Sequence, residues 1–249
     1  MRKSSRKAGT EIARGKTKIV TAGTEPGTVL ITSLDDITAG DGARRSKFDG
    51  KGVLATRMTV AVFRYLMNNG VPTHFISNGV DCNKNQFIAH SLHMIPVEVV
   101  IRYAAAGSYL KRNLLMKSGQ KLDRLVVEFF WKDDKRHDPM MVIDVVGQRI
   151  LFFDPSKPMS DGFLGQESAH QNFDIRWTML KKLVEEGVEM AKTIFALLWQ
   201  AFNERNVLLV DAKFEFGYDR FGHLILGDVV DNDSWRTWPR GDSKRAFDK

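Results

Sequence analysis

The sequence predicts a globular chain of mixed strands and helices, and three observations carry that reading. The apolar run Val207–Val210 passes into charge at alternate positions, Asp211, Lys213 and Glu215, which is strand periodicity. From Val53 to Asn69, the residues Val53, Leu54, Met58, Ala61, Val62, Tyr65 and Leu66 fall at helical spacing. The 249 residues are 43% hydrophobic and 27% charged, the balance of an ordinary globular protein long enough to bury a sizeable core.

The formal net charge is +7. Such a balance attracts nucleic acid, but equally phosphorylated small molecules. Much of the excess lies in MRKSSRK at one end and RGDSKRAFDK at the other. There is no arginine-rich block interleaved with aromatics and no helix-turn-helix or zinc-finger spacing, so nucleic-acid binding is the lesser reading. No apolar run approaches the ~20 residues of a membrane helix. The basic start lacks a following apolar segment, so residues 1–10 read as a disordered lead-in rather than a secretory signal. Cys82 is the single cysteine, which excludes an internal disulfide and fits a reducing compartment.

Glu11–Ala22 reads as two short β runs punctuated by Gly15, with Lys16 and Lys18 on one strand face. A glycine-punctuated hairpin bearing lysines can close over phosphates, although it lacks the G-x-x-x-x-G-K-[ST] spacing of a Walker loop. A plain surface hairpin is the competing reading. Val29–Leu34 is the next strand. Asp35–Gly52, DDITAGDGARRSKFDGKG, mixes glycines with both signs of charge and has little apolar surface; it reads as a loop that leans towards a site. Gly70 ends the helix that follows, with Pro72 just beyond. His74–Ser77 and Gln86–His90 read as short strands, and His74, His90 and His93 show no metal-ligand spacing.

Met94–Tyr103 alternates, placing Glu98 and Arg102 on one face. Gly107 and Ser108 then open a short helix. An arginine ahead of such an entry suits a phosphate or carboxylate clamp, against the plainer reading of an N-cap serine and a surface arginine. Leu125–Lys132 is a strand, and DDKRHDP after it, with Asp138, is a polar loop. Two apolar runs flank Gly147 within Met140–Phe153, and Asp154–Gly165 reads as a loop. Phe173–Asn206 reads as one long helix or two in series, with Gly187 at a kink.

The chain from Val207 to Arg236 concentrates the chemistry. Asp211, Lys213 and Glu215 share a face, while Ala212, Phe214 and Phe216 point the other way into a core. Gly217 and YDRFGH, with Gly222 as the flexible position, form a turn. A second strand, His223–Asp228, returns antiparallel, and Asp231, Asn232 and Asp233 follow. Carboxylate oxygens are what Mg²⁺ prefers, usually one or two of them joined to substrate phosphates. The competing reading is the solvated face of an edge hairpin, its charges paired with one another. Spacing alone leaves both open.

GKTKIV, ITAGDGARRSKFDGKG, MIPVEVVIRYAAAGSYLKRN, KDDKRHDP, LLVDAKFEFG and GDVVDNDSWR occur in that order. Together they resemble the SAICAR synthetases over about Ile12–Asp242. The resemblance implies an α+β fold of two lobes with ATP in the cleft between them, related in outline to kinase and ATP-grasp architectures. Residues 11–94 would form the N-terminal ATP-covering lobe and residues 95–249 the C-terminal lobe with the substrate and metal site. It implies a cytoplasmic enzyme of purine biosynthesis that condenses CAIR, a carboxylated aminoimidazole ribonucleotide, with L-aspartate. ATP and Mg²⁺ would be required, and SAICAR, ADP and phosphate would form by way of an acyl phosphate.

By the same resemblance, Gly15, Lys16 and Lys18 cover the ATP phosphates and the backbone at Met94 holds adenine. Glu215 and Asp228 bind Mg²⁺. Arg102, Ser108 and Arg236 contact the CAIR phosphate, and Asp211, Lys213 and Asp233 line the same pocket, with Lys213 bridging CAIR and the transferring phosphate. Asp41 and Asp138 occupy family motif positions as further catalytic carboxylates. The chain departs from many bacterial members in carrying Val229 where a glutamate follows the metal-binding aspartate, and DNDSWR is closer to eukaryotic-type members. Two other functions share parts of this pattern: a kinase-like phosphotransferase acting on another small molecule, and a non-catalytic basic nucleotide- or RNA-binding protein of the same fold.

Overall fold

The computed structural model describes residues 7–39, 44–76, 84–168 and 177–247. Two compact units emerge: one holds the chain up to His93 and takes back Gly217–Asp233, the other holds Met94–Phe216 and Ser234–Asp248. The lead-in predicted for residues 1–10 lies partly outside the described residues, and Asp41 lies wholly outside them. Gly9 donates its N–H to the Ala22 carbonyl at 2.8 Å.

In the first unit, β1 (Glu11–Arg14), β2 (Lys18–Ala22) and β3 (Thr28–Ser33) form an antiparallel meander. The alternation of β3 buries Val29, Ile31 and Ser33 and turns the residues between them outward. The segment read as a loop over residues 35–52 instead contains a hairpin, β4 (Asp36–Ala39) and β5 (Arg44–Lys47), pairing Asp36 with Lys47 and Ile37 with Ser46. Its strands, DITA and RRSK, hold too few apolar residues to announce themselves by alternation. Helix α1 (Lys51–Asn68) starts two residues before the apolar spacing does, because Gly52 donates its N–H to Asp35 Oδ1 at 2.8 Å. A Cβ at Gly52 would meet the Ser33 carbonyl oxygen at 2.6 Å, so only glycine lets α1 approach β3 this closely. β6 (Gln86–His90) pairs with β3. Phe87, Ala89, Val60, Phe63 and Leu66 are all buried.

The second unit is built on strands ordered β11-β10-β9-β8-β7-β12. These are β7 (His93–Ala104), β8 (Lys121–Trp131), β9 (Met140–Asp144), β10 (Arg149–Phe153), β11 (Phe163–Ser168) and β12 (Val207–Tyr218). β11 occupies part of the stretch read as a loop over residues 154–165; pairing with β10, rather than apolar content, makes it a strand. Helix α2 (Ser108–Arg112) follows Gly107. α3 (Trp177–Lys182) passes through one π turn, Leu183–Gly187, into α4 (Val188–Asn203), so the irregularity anticipated at Gly187 is a π bulge. Val97, Val99, Ile101, Phe214 and Phe216 are wholly or almost wholly buried. The chain passes through β13 (Leu224–Leu226) in the first unit, then β14 (Trp235–Pro239) pairs antiparallel with β12.

His74 is not in a strand. Its neighbours Thr73 and Phe75 make isolated bridges, Thr73 to Leu226 in parallel and Phe75 to Ala89 in antiparallel sense. The ring is buried, edge-on to Phe63 at 5.4 Å and Phe87 at 6.0 Å. Burial lowers its pKa from 6.5 to about 4, with Lys18 and His90 adding to the shift and the Asp228 carbonyl opposing it. The folded chain therefore refuses a proton that the unfolded chain accepts. The stabilisation is fully present above pH 6.5 and is lost as pH falls towards about 4, by something on the order of 3 kcal/mol. Urea midpoints taken from about pH 7 down to about pH 4.5 should fall more steeply for the wild-type chain than for His74→Gln.

Candidate active site

β12 pairs with β7 and with β14, so the solvated-edge reading does not hold: Asp211 is 3% exposed and Glu215 6%. Ala212, Phe214 and Phe216 are buried on the opposite side, as the alternation requires. Burying charge is tolerable only with partners in good geometry, and each charged group here has them. Asp211 Oδ2 accepts from Arg102 Nη1 and from Arg236 Nη1, both at 2.5 Å. Arg236 stands opposite Asp211 in the β12–β14 register. Arg102 also donates through Nε to Glu128 at 2.6 Å and reaches Ser108 Oγ at 3.4 Å. Arg112 holds the other oxygen of Glu128, donates to the Pro155 carbonyl at 2.8 Å and lies 5.6 Å over the Phe130 ring.

Gly107 makes room for this arrangement. Its φ is 54°, and a Cβ there would stand 2.5 Å from Arg236 Nη2. On the same face of β12, Lys213 Nζ donates to Glu98 at 2.7 Å and lies 3.5 Å from Glu215; Lys132 donates to the other Glu215 oxygen at 2.7 Å. The Lys213 side chain is about one-third exposed, at 34%, unlike the carboxylate beside it. Asp138 accepts the Asp133 N–H at 2.7 Å and closes the DDKRHDP turn, with His137 and Asp138 both at positive φ. Met94, the first residue of the second unit, is half-buried in β7.

The first unit carries its own charged cluster. Lys18, at the start of β2, pairs with the Asp228 carboxylate. Lys16 does not share that strand face. It sits in the bend after Gly15, whose N–H donates to the Lys18 carbonyl at 2.9 Å, because β2 begins only at Lys18, two residues further on. Asp228 has φ 58°, a left-handed conformation that costs a residue bearing a Cβ about 1–3 kcal/mol. Lys51 Nζ donates to Asp233 at 2.8 Å, and the Asp233 N–H donates to Asp231 at 2.8 Å. Burial, with the nearby Asp233 charge, raises the pKa of Asp231. Lys51, Leu54, Arg57, Met58 and Asp233 are among the lining of a groove of about 680 Å³.

Of the residues singled out in the sequence, Arg102, Ser108, Asp211 and Arg236 come together in one network, and Lys213 meets Glu215 in another. Asp228 and Lys18 meet in the first unit, where Asp233 also lies. Sequence reasoning missed Glu128, Lys132, Lys51 and His74 as partners. Glu128 left one signal, a lone acid inside the apolar strand LVVEFFWK. Glu215 in the second unit and Asp228 in the first each carry hard carboxylate oxygens of the kind that suits Mg²⁺, and each faces a lysine ammonium.

The family model for SAICAR synthetase matches residues 11–249. A phosphoribosylaminoimidazole-succinocarboxamide synthase from Roseiflexus is 39% identical over 243 residues, covering 97% of this chain and 85% of the relative. Among solved structures, a SAICAR synthetase in complex with ADP is 29% identical with a TM-score of 0.74, covering 95% of this chain and 87% of that one. The phosphoribosylaminoimidazole-succinocarboxamide synthase of Ehrlichia chaffeensis is 26% identical with a TM-score of 0.76, covering 96% and 89%.

Asp211→Ala should leave Arg102 buried with its charge partly unmatched. A loss of about 3 kcal/mol in urea unfolding is expected. Glu11→Ala, which breaks the exposed pair with Arg14, should leave the urea midpoint almost unchanged.

Proposed function

The chain belongs to the SAICAR synthetase family, and from that premise we propose that it joins CAIR to L-aspartate at the expense of ATP. The observation that carries the reading is the pair of guanidiniums held on one buried carboxylate, Arg102 and Arg236 on Asp211, with Ser108 alongside. Two planar, permanently charged donor groups suit a phosphate monoester such as that of CAIR. Asp211 acts by holding both arginines in place.

The chemistry follows from the substrate. A carboxylate is a poor acyl electrophile because its leaving group would be oxide. A CAIR carboxylate oxygen attacks the γ-phosphorus of ATP, the bond to the β-phosphate oxygen breaks, and ADP leaves. The aspartate amine then attacks the acyl phosphate carbon, and phosphate departs as the amide forms. Little covalent work falls to the protein; positioning and charge neutralisation dominate. Lys213, anchored by Glu98 and Glu215, supplies a cation for the CAIR carboxylate and the transferring phosphoryl group. Gly15, Lys16 and Lys18 cover the ATP phosphates, and the backbone at Met94 receives adenine. Asp233 lines the CAIR pocket, and Asp41 and Asp138 serve as further catalytic carboxylates.

Glu215 and Asp228 would hold Mg²⁺, which when bound neutralises charge on the β- and γ-phosphates. The finer architecture implied by the resemblance, two lobes with ATP in a cleft and an outline shared with kinases and ATP-grasp enzymes, belongs to this proposal and rests on family membership. So does a cytoplasmic location. Among the described residues no helix is long and apolar enough to cross a membrane.

ADP formation should require ATP, Mg²⁺, CAIR and aspartate together, with a succinocarboxamide product. ADP formation independent of aspartate would favour a kinase-like phosphotransferase. Lys213→Ala and Asp228→Asn should each lower kcat by about 100-fold or more with little change in melting temperature. Near-normal turnover would remove that residue's role. Arg236→Ala should raise the KM for CAIR by about tenfold while the KM for ATP stays within about twofold; equal effects on both would count against the phosphate contact.

A further inference from the structure

Asp228 combines two demands that conflict. It carries a carboxylate that the proposed chemistry uses, and its backbone sits at φ 58°, where side chains are disfavoured. Such a conformation persists only when its surroundings over-determine it. The preceding strand is stapled from outside: Leu226 donates its N–H to the Pro72 carbonyl at 3.2 Å, and its own carbonyl accepts the His74 N–H at 2.9 Å. The His74 carbonyl in turn accepts the His90 N–H at 2.7 Å. The residue-74 backbone is thereby fixed from both sides, on one of them by Leu226, two positions before Asp228. The imidazole ring is caged by Phe63 and Phe87 edges, and its Nε2 lies 2.8 Å from the Asp228 carbonyl oxygen. A carbonyl can only accept, so Nε2 carries the proton.

We propose that His74 is a positioning residue for Asp228: its Nε2–H clamps the Asp228 carbonyl and fixes the left-handed turn that aims the carboxylate. A histidine serving only as core filling would need no such alignment, and a phenylalanine or methionine would fill the volume as well. Here, among the described residues, the hydrogen bond of the ring falls on the backbone of a residue whose carboxylate is paired with Lys18. Partners of this kind, one step removed from a metal ligand, typically change metal affinity or activity about 10- to 100-fold when removed. The inference rests on the assignment of Asp228 to Mg²⁺ made above.

The test is calorimetric ADP binding with and without Mg²⁺, on the wild-type chain, His74→Met, His74→Gln, Asp228→Asn and the His74→Met/Asp228→Asn double variant. His74→Met should weaken Mg²⁺-dependent binding by about tenfold or more and leave Mg²⁺-free binding within about twofold. His74→Gln, which keeps an N–H donor at similar reach, should recover most of the loss. In the Asp228→Asn background, His74→Met should have no further effect. Full affinity in His74→Met, an equal loss without Mg²⁺, or no recovery with glutamine would overturn the proposal. Should His74→Met fail to fold, the tautomer of His74 in the wild-type chain decides, read from long-range ¹H–¹⁵N NMR spectra: the Nε2–H form supports the clamp and an Nδ1–H form removes it. Failure of the wild-type chain to make a succinocarboxamide would sink the ligase reading while the calorimetry still judges His74. Mg²⁺-dependent ADP binding unchanged by Asp228→Asn would remove both the metal assignment and this inference.

Discussion

The second unit depends on keeping buried charge in balance along one face of β12. Asp211, Glu215, Arg102 and Arg112 are buried, and none is tolerable alone. Glu128 is shared by Arg102 and Arg112, and Asp211 is shared by Arg102 and Arg236, so the groups form a chain in which each fixes the next. Arginine suits the interior places because its planar fork serves two carboxylates at once; a lysine would bring one compact charge. Lysines instead stand where the face opens to solvent, as Lys213 and Lys132 do on Glu215.

Register is the constraint behind this arrangement. The opposite face of β12 carries Ala212, Phe214 and Phe216, all buried. A slip of one residue would exchange the two faces, placing phenylalanine rings among the arginines and carboxylates in the core. Apolar burial therefore selects the register, and the charged face is carried along with it. The irregularity between Leu209 and Asp211 in the pairing with β14 brings Asp211 opposite Arg236 without disturbing that alternation.

Much of this was legible where the signal is local. The period of two along β12, the helix α1 and the turn at Gly222 each depend on residues near in sequence, and the structure has all three. In α1, however, Leu54, Met58 and Ala61 of the stripe read from spacing are exposed, and the buried face runs through Ala55, Thr59, Val60, Phe63 and Leu66. What escaped depends on distance. That β12 is not an edge follows from β7, more than a hundred positions earlier, and nothing within Val207–Tyr218 announces it. Glu128 and Lys132 are ordinary charged residues until β8 is laid beside β7, which pairs Val100 with Glu128. The β4–β5 hairpin was hidden because its pairing is carried by backbone groups and its side chains lack apolar alternation. Lys16 falls two positions short of β2, which places it in a bend rather than on a strand face. Asp41 falls outside the described residues, and its place in the site rests on the motif alone.

Two positive-φ positions, Gly107 and Asp228, show how different requirements meet the same backbone conformation. At Gly107 the requirement is the absence of a side chain, because the Arg236 guanidinium occupies the space a Cβ would take. Glycine satisfies this without help, since it enters the left-handed region at no steric penalty. At Asp228 the proposed metal role needs a carboxylate, which excludes glycine and leaves the strain to be carried by neighbours. Aspartate and asparagine are the residues that tolerate this region best after glycine. Asparagine at 228 therefore keeps the backbone while discarding the charge, and His74 holds the backbone without touching the charge. Geometry and charge at this one residue are thus borne by separable groups, which is why changes at the two positions report on different things.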